Sequence, residues 1–368
     1  MSNLFSPTTV GPYNLQHRVV MAPLTRLRSS AGDVPGDLMA AYYAQRATAG
    51  GLIISEASPV SEYAYGYAHA PGIYTQDQVA GWRKVIAAVH GKGGRIFLQL
   101  WHVGRQSHSS LQPDGGDPVA PSAIQAEGDA YADSGPVPFG MPRALALDEI
   151  PGLIEQFRNA ARLALEAGFD GVEIHSANGY LPDQFLQDGT NKRTDVYGGS
   201  IENRARFMLE ITRAAISVWG AGKVGVRISP SSSFGSMHDS DPWNTFGYLA
   251  AQLNDLGLAY LHVVEPRIKG TETVDEHAGP VAVEYLRRIF KGPIIAAGGF
   301  SGASAEALLA SGDADMVAFG RAFIANPDLP KRLRDDLPLN PHDRDTFYGG
   351  GERGYIDYPF ATPATEAV

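Results

Sequence analysis

His175, Asn178 and Tyr180 fall within six residues of one another, in the run Gly171-Val-Glu-Ile-His-Ser-Ala-Asn-Gly-Tyr-Leu181. An imidazole and a carboxamide three positions apart on one turn can both donate hydrogen bonds to a single acceptor oxygen. Two such donors polarise a carbonyl or nitro group and stabilise charge that develops on it. The Tyr180 phenol, with an ordinary pKa of about 10, is suited to giving a proton to a developing carbanion. Alone, His175 reads as a buried structural histidine. The cluster shifts the balance towards function, and a cofactor beside it would decide the matter.

Other residues extend this chemistry. Arg227 ends the apolar run Lys223–Ile228. A guanidinium there is costly unless an anion or an electron-rich group meets it, and a structural ion pair is the competing reading. Glu173 with His175, or His102 with His108, offers metal-ligand types, but no further ligand stands at a recognisable spacing. No G-x-S-x-G elbow is present for a serine hydrolase.

These residues need elements to hold them. Eight short apolar runs recur along the chain: Arg18–Met21, Gly51–Ser55, Arg95–Leu100, Gly171–His175, Lys223–Ile228, Leu258–Val264, Pro293–Ala297 and Asp315–Phe319. Several are near-continuously apolar, as strands buried on both faces are. Amphipathic helical patterns lie between them. One runs from Pro151 to Gly168, opened by a proline and stopped by a glycine; another runs from an N-cap at Ser200 to Trp219. Strands alternating with helices predict an α/β fold, a single (β/α)8 TIM barrel over residues 1–360. A doubly wound sheet would open with G-x-G-x-x-G, whereas the first turn reads Ala22-Pro23-Leu24-Thr25-Arg26. Long excursions are expected after strands three (Trp101–Ala146) and six (Glu265–Gly279), and a frayed tail over 361–368.

In a barrel, Gly298 and Gly299 follow strand seven, while Gly320 and Arg321 follow strand eight. Glycines there let backbone N–H groups approach an anion, and Arg321 adds charge. Either turn alone is an ordinary βα turn; the two together point to a phosphate.

Composition narrows the options. The 368 residues include 42 Gly and no Cys, which excludes disulfides, thiolate metal sites and a cysteine nucleophile. A net charge of −10 with no Lys/Arg block excludes a nucleic-acid partner. With no long apolar span and no secretory pattern at Met1–Val10, a cytoplasmic protein without a membrane partner is expected.

The segments Val19–Arg26, Gln99-Leu-Trp-His-Val-Gly-Arg105, His175–Leu181, Lys192–Arg206 and Phe347-Tyr-Gly-Gly-Gly351 together resemble the old yellow enzymes, in the expected order along nearly the whole chain. The resemblance is to bacterial xenobiotic reductase and N-ethylmaleimide reductase-like members. It implies a non-covalently bound FMN reduced by NADPH or NADH, and an ene-reductase acting on enones, maleimides and nitroalkenes, with nitrate esters or nitroaromatics as further substrates. Carried over by position, Ala22, Pro23, Leu24 and Thr25 line the flavin, with the Thr25 hydroxyl near C4–O. Ala57 and Gln99 bond its pyrimidine edge, and Arg227 faces N1 and C2–O. Gly298, Gly299, Gly320 and Arg321 hold the phosphate. His175 and Asn178 grip the substrate oxygen, Tyr180 gives the proton, and Tyr67, Trp101 and Tyr348 are aromatic walls. Some relatives carry Cys where this chain has Thr25. The expected partner is a small electrophile, and the assembly a monomer or homodimer. A metal-assisted barrel hydrolase and a non-catalytic flavin carrier are the competing classes.

Overall fold

The computed structural model describes residues 3–269, 272–273 and 281–361. Eight parallel strands close a barrel in chain order: β1 Val19–Met21, β2 Leu52–Pro59, β3 Arg95–Trp101, β4 Gly171–Ser176, β5 Val224–Ile228, β6 Tyr260–Val264, β7 Ile294–Ala297 and β8 Met316–Phe319, with β8 pairing back onto β1. All eight apolar runs are strands. The largest difference is β2, which continues through Ser55 and Glu56 to Pro59 by way of an irregularity between Ile54 and Ala57. Such a bulge carries no apolar signal because the residues it adds are polar.

Side-chain alternation divides each strand between two environments. Val20, Ile54, Phe97, Tyr260, Ile295 and Met316 pack together inside the barrel, while their neighbours Val19, Ile53, Ile96, Leu98, Leu261 and Val317 join the core under the helices. The interior is filled rather than open. A Cβ on Gly171 would lie 2.4 Å from the Phe97 ring, and one on Gly225 2.3 Å from the Tyr260 ring. Glycine at these two positions makes room for an aromatic pair whose centroids are 5.8 Å apart.

The outer layer includes α1 Asp37–Arg46, α2 Gln76–His90, α3 Ile150–Ala167, α4 Leu181–Leu186, α5 Ile201–Trp219, α6 Pro242–Asn254, α7 Val283–Arg287, α8 Gly302–Ser311, α9 Arg321–Ala325 and α10 Leu329–Arg334. α3 starts with Pro151 in its first turn and ends at Gly168, which adopts φ 100°. α5 is capped by the Ser200 hydroxyl, which accepts from the Asn203 amide. The two helices bury Phe157 against Phe207, and Trp219 Nε1 donates to the Ala161 carbonyl at 2.9 Å. Replacing buried Phe157 by Ala would cost about 3–5 kcal/mol.

A hairpin, Thr8–Val10 with Tyr13–Leu15, packs Val10 and Leu15 on the interior cluster. At the opposite, C-terminal end, the excursion after β3 forms a second hairpin, Asp129–Ala132 with Gly135–Pro138. The excursion after β6 includes the short pair Ile268–Lys269 and Glu272–Thr273; the remainder lies outside the described residues, as does the tail beyond Ala361. Among the described residues no helix is long and apolar enough to cross a membrane.

Candidate active site

The C-terminal strand ends enclose a cavity of about 720 Å³. That is within the range of roughly 300–1,000 Å³ typical of sites for small molecules and cofactors. Its lining includes Ala22, Pro23, Leu24 and Thr25 after β1, Gln99 on β3, and His175, Asn178 and Tyr180 at β4. It also includes Arg227 on β5, Gly298 and Gly299 after β7, Gly320 and Arg321 after β8, and Tyr67 and Tyr348. These residues, spread over more than 320 positions of sequence, therefore share one space.

Two predicted residues do not line it. Trp101 is fully buried behind the wall, its ring 5.5 Å from Tyr67, 5.0 Å from Tyr180 and 6.4 Å from His175. It backs the aromatic wall instead of forming its face, because the rings of Tyr67 and Tyr180 stand in front. Ala57 pairs with Gln99 in the β2–β3 ladder and packs with Tyr67, Trp101 and Tyr180. The bulge in β2 brings it into that cluster, beside Gln99.

His175 is the penultimate residue of β4, and Asn178 follows in a left-handed turn with φ 57°. The donors are therefore set by a strand end and a turn, not by helical spacing. Asparagine tolerates this conformation better than most residues, and the surroundings enforce it. The Asn178 amide donates to Ser229 Oγ at 2.7 Å, and its carbonyl accepts from Gln106 Nε2 at 2.8 Å. Gln184 bridges the Gly179 and Val103 carbonyls, while the Leu181 amide donates to the His102 carbonyl. The Gln99–Arg105 motif thus braces the turn that carries Asn178 and Tyr180.

The electrostatics suit neutral donors. Burial, with Arg227 and His262 nearby, holds the His175 imidazole well below its usual pKa. Burial and the neighbouring Tyr67 phenol hold Tyr180 well above 10. At neutral pH both keep a proton to donate, without charge. His175 Nδ1 and Arg227 Nε are buried and have no hydrogen-bond partner among the described residues. Such groups are costly unless a ligand atom meets them.

At the β7 and β8 ends, Gly298 and Gly299 adopt φ 145° and 67°. A Cβ at Gly298 would lie 2.7 Å from the Glu265 Cβ, so no larger residue fits. The Arg321 guanidinium stands beside Gly299. Open backbone next to a guanidinium is a phosphate-type cradle. The donor on Arg227, the Gln99 carboxamide, the cradle and the cavity volume together fit a phosphorylated planar cofactor such as FMN.

Sequence reasoning missed several lining residues, among them Tyr131, Phe234 and His342. Tyr131 sits on the hairpin after β3, stacked on Tyr67 at 5.5 Å and 15°, with Tyr348 5.9 Å beyond. The backbone pair Ala68 N to Tyr131 O and Tyr131 N to Gly66 O fixes that hairpin over the cavity. The Asp133-Ser134-Gly135 turn signal marks the hairpin, but no periodicity shows where it folds.

The fold and site define a (β/α)8 barrel with a glycine- and arginine-lined cradle and a His–Asn–Tyr cluster on one cavity. Residues 3–340 match the family described as NADH:flavin oxidoreductase / NADH oxidase, and the chain belongs to this old yellow enzyme family. It is 49% identical over 362 residues to 12-oxophytodienoate reductase 1 of Oryza sativa subsp. japonica, covering 97% of this chain and 93% of that one. A flavin oxidoreductase, hxnT, of Emericella nidulans is 47% identical, with 97% of each chain covered. Among solved structures, morphinone reductase in complex with tetrahydroNAD superposes with a TM-score of 0.91 at 51% identity, covering 99% of both chains. The old yellow enzyme homologue from Zymomonas mobilis gives 0.92 at 44%, covering 97% of this chain and 99% of that one. The protein is an NAD(P)H:flavin oxidoreductase of the old yellow enzyme type.

Proposed function

We propose that this protein binds FMN and uses NADH or NADPH to reduce carbon–carbon double bonds activated by a carbonyl or nitro group. The observation that carries the reading is the convergence of His175, Asn178 and Tyr180 on the cavity that also holds Arg227 and the glycine cradle. The relative solved in complex with tetrahydroNAD supports a nicotinamide reductant.

FMN, when bound, supplies the acceptor for hydride from the nicotinamide and the donor of hydride to the alkene. Gly298, Gly299, Gly320 and Arg321 would hold its phosphate, and Gln99 and Arg227 its pyrimidine edge, where the guanidinium favours negative charge. Ala22, Pro23, Leu24 and Thr25 would lie along the ring. His175 and Asn178 donate to the activating oxygen, so the β-carbon becomes electrophilic and the enolate-like charge is stabilised. Tyr180 then gives its proton to the α-carbon. In balance, one hydride and one proton add across the double bond while NAD(P)H becomes NAD(P)+.

The purified protein is expected to be yellow and to consume NADH or NADPH when cyclohexenone or N-ethylmaleimide is added. In stopped-flow, Tyr180→Phe slows alkene reduction at least tenfold and leaves nicotinamide oxidation nearly intact. Equal losses in both half-reactions would remove Tyr180 from the proton-donor role. A colourless protein whose activity is abolished by a chelator would overturn the whole reading.

A further inference from the structure

Below the cavity floor lies a buried polar triad that the proposed reaction does not use. Gln99, Glu173 and His262 stand on β3, β4 and β6, and each is at most 1% exposed. Gln99 Nε2 donates to Glu173 Oε1 at 2.7 Å. His262 Nδ1 lies 2.9 Å from Glu173 Oε2. A carboxylate placed in a barrel interior needs its charge answered. Arg227, beside His262 in the β5–β6 register, supplies a nearby positive field.

Donor and acceptor rules then fix the whole set. Gln99 Nε2 can only donate, so Glu173 Oε1 accepts from it, and Glu173 Oε2 accepts the Nδ1–H of His262. His262 is thereby the Nδ1–H tautomer, and its Nε2, which meets no partner among the described residues, carries no stranded proton. Burial also keeps this imidazole neutral by lowering its pKa. With Nε2 of Gln99 committed to Glu173, the amide oxygen is the end left for a ligand. Gln99 lines the cavity, and among the described residues Oε1 accepts no hydrogen bond.

We propose that Glu173, held by His262, is a positioning residue that fixes the polarity of the Gln99 carboxamide. The site therefore presents a hydrogen-bond acceptor at this point and selects a ligand edge bearing an N–H, such as the imide of a flavin. The inference rests on the reading of Gln99 as a cofactor-edge contact and adds what decides which end of the amide is offered. It also makes a specific prediction about Glu173→Gln. In that variant the new Oε1 can accept from His262 Nδ1–H while the new Nε2 donates to Gln99 Oε1. The contacts between the three side chains are kept, but Gln99 is reversed and shows its NH2 to the cavity.

The test is competition between FMN and 3-deaza-FMN, which has carbon in place of N3 and so lacks the imide N–H, for apoprotein, followed by FMN fluorescence. Wild type is expected to prefer FMN by about tenfold or more, since a C–H leaves the buried acceptor unmet. Glu173→Gln should lose most of that preference, because a reversed amide can donate to a flanking carbonyl of either ring. A role in folding alone would weaken both ligands equally and leave the ratio unchanged. An unchanged ratio in a folded Glu173→Gln protein overturns the proposal, as does equal binding of the two ligands by wild type. Should Glu173→Gln not fold, Gln99→Met decides: the preference vanishes if the amide oxygen reads the N–H, and its persistence overturns the proposal. Wild-type apoprotein that binds neither ligand would instead overturn the flavin reading itself.

Discussion

The reaction proposed at His175 depends on an imidazole that donates without being charged. A protonated His175 next to Arg227 would place two cations in one buried pocket, and both burial and that neighbour oppose it. Tyr180, with its pKa pushed up, keeps its proton through the alkaline range. The rate constant for alkene reduction should therefore be flat between about pH 6.5 and 9, because neither group changes state there. A rise or fall near pH 6.5 that disappears in His175→Ala would contradict a neutral histidine. The same variant should weaken phenols, which mimic the enolate oxygen, by about tenfold, the worth of one buried hydrogen bond of about 1–1.5 kcal/mol. Equilibrium titration of the long-wavelength absorbance that phenols produce with flavin would measure it. This cluster was legible in the sequence because its three residues are local to one turn. Tyr131 was not, since its contact with Tyr67 depends on how an irregular hairpin lies across the barrel mouth.

Strands and helices carry a different kind of information. The eight strands and the caps of α3 and α5 were readable because buried parallel strands are apolar and helix ends carry proline, serine and glycine signals. The β2 bulge was hidden because Ser55 and Glu56 are polar yet fully buried. Their partners explain the burial. Glu56 Oε2 accepts from the amides of Arg26 and Leu27 at 3.1 and 3.3 Å, and its own amide donates to the Tyr43 hydroxyl at 2.8 Å. The end of β2 thus holds the loop that follows β1, just beyond Thr25. Burial outweighs those amides and the two nearby arginines, and pushes the Glu56 pKa up to about 7 from 4.5. The folded protein therefore binds this proton more tightly than the unfolded chain does. Its contribution is full below about pH 4.5 and is lost as the pH rises to 7, at a cost on the order of 2–3 kcal/mol. Asp183, raised to about 7, acts in the same direction. In urea titrations at pH 5 and pH 8, Glu56→Gln should lose less stability with rising pH than wild type. Identical pH dependence in the two proteins would show that Glu56 is ionised in the fold at both values.

At the scale of the molecule, the first βα loop is tied to the last segment of the chain. The buried Arg26 donates from Nε to the Phe347 carbonyl at 2.8 Å and from Nη2 to the carbonyls of Gly354 and Thr346 at 2.7 and 3.2 Å. Arg28 adds a bond to Thr346 O at 2.9 Å, and the Gly349 amide donates back to the Arg26 carbonyl. Tyr42 and Tyr355 stack at 4.0 Å, with the Arg26 guanidinium about 5 Å from each ring. The consequence for the site is that Tyr348 is held at the cavity rim opposite Tyr131 by residues that follow Thr25 directly in sequence. Nothing in local spacing could reveal a clasp between positions 320 residues apart; the Phe347–Gly351 motif was visible, its anchor was not. Arg26→Met removes the fork but keeps bulk; the Gly354 carbonyl loses its donor, while those of Thr346 and Phe347 are left to Arg28, at a cost of about 2–4 kcal/mol. The loss should be local. Hydrogen exchange should quicken across residues 344–356 while α3 and α5 stay protected. KM for the alkene should rise, because Tyr348 is no longer held, whereas FMN affinity, set by the cradle and Arg227, changes little. Arg26→Lys, which offers donors without the planar fork, should fall between the two. If Arg26→Met speeds exchange evenly over the barrel, the arginine is a general core element and not a clasp for the aromatic rim.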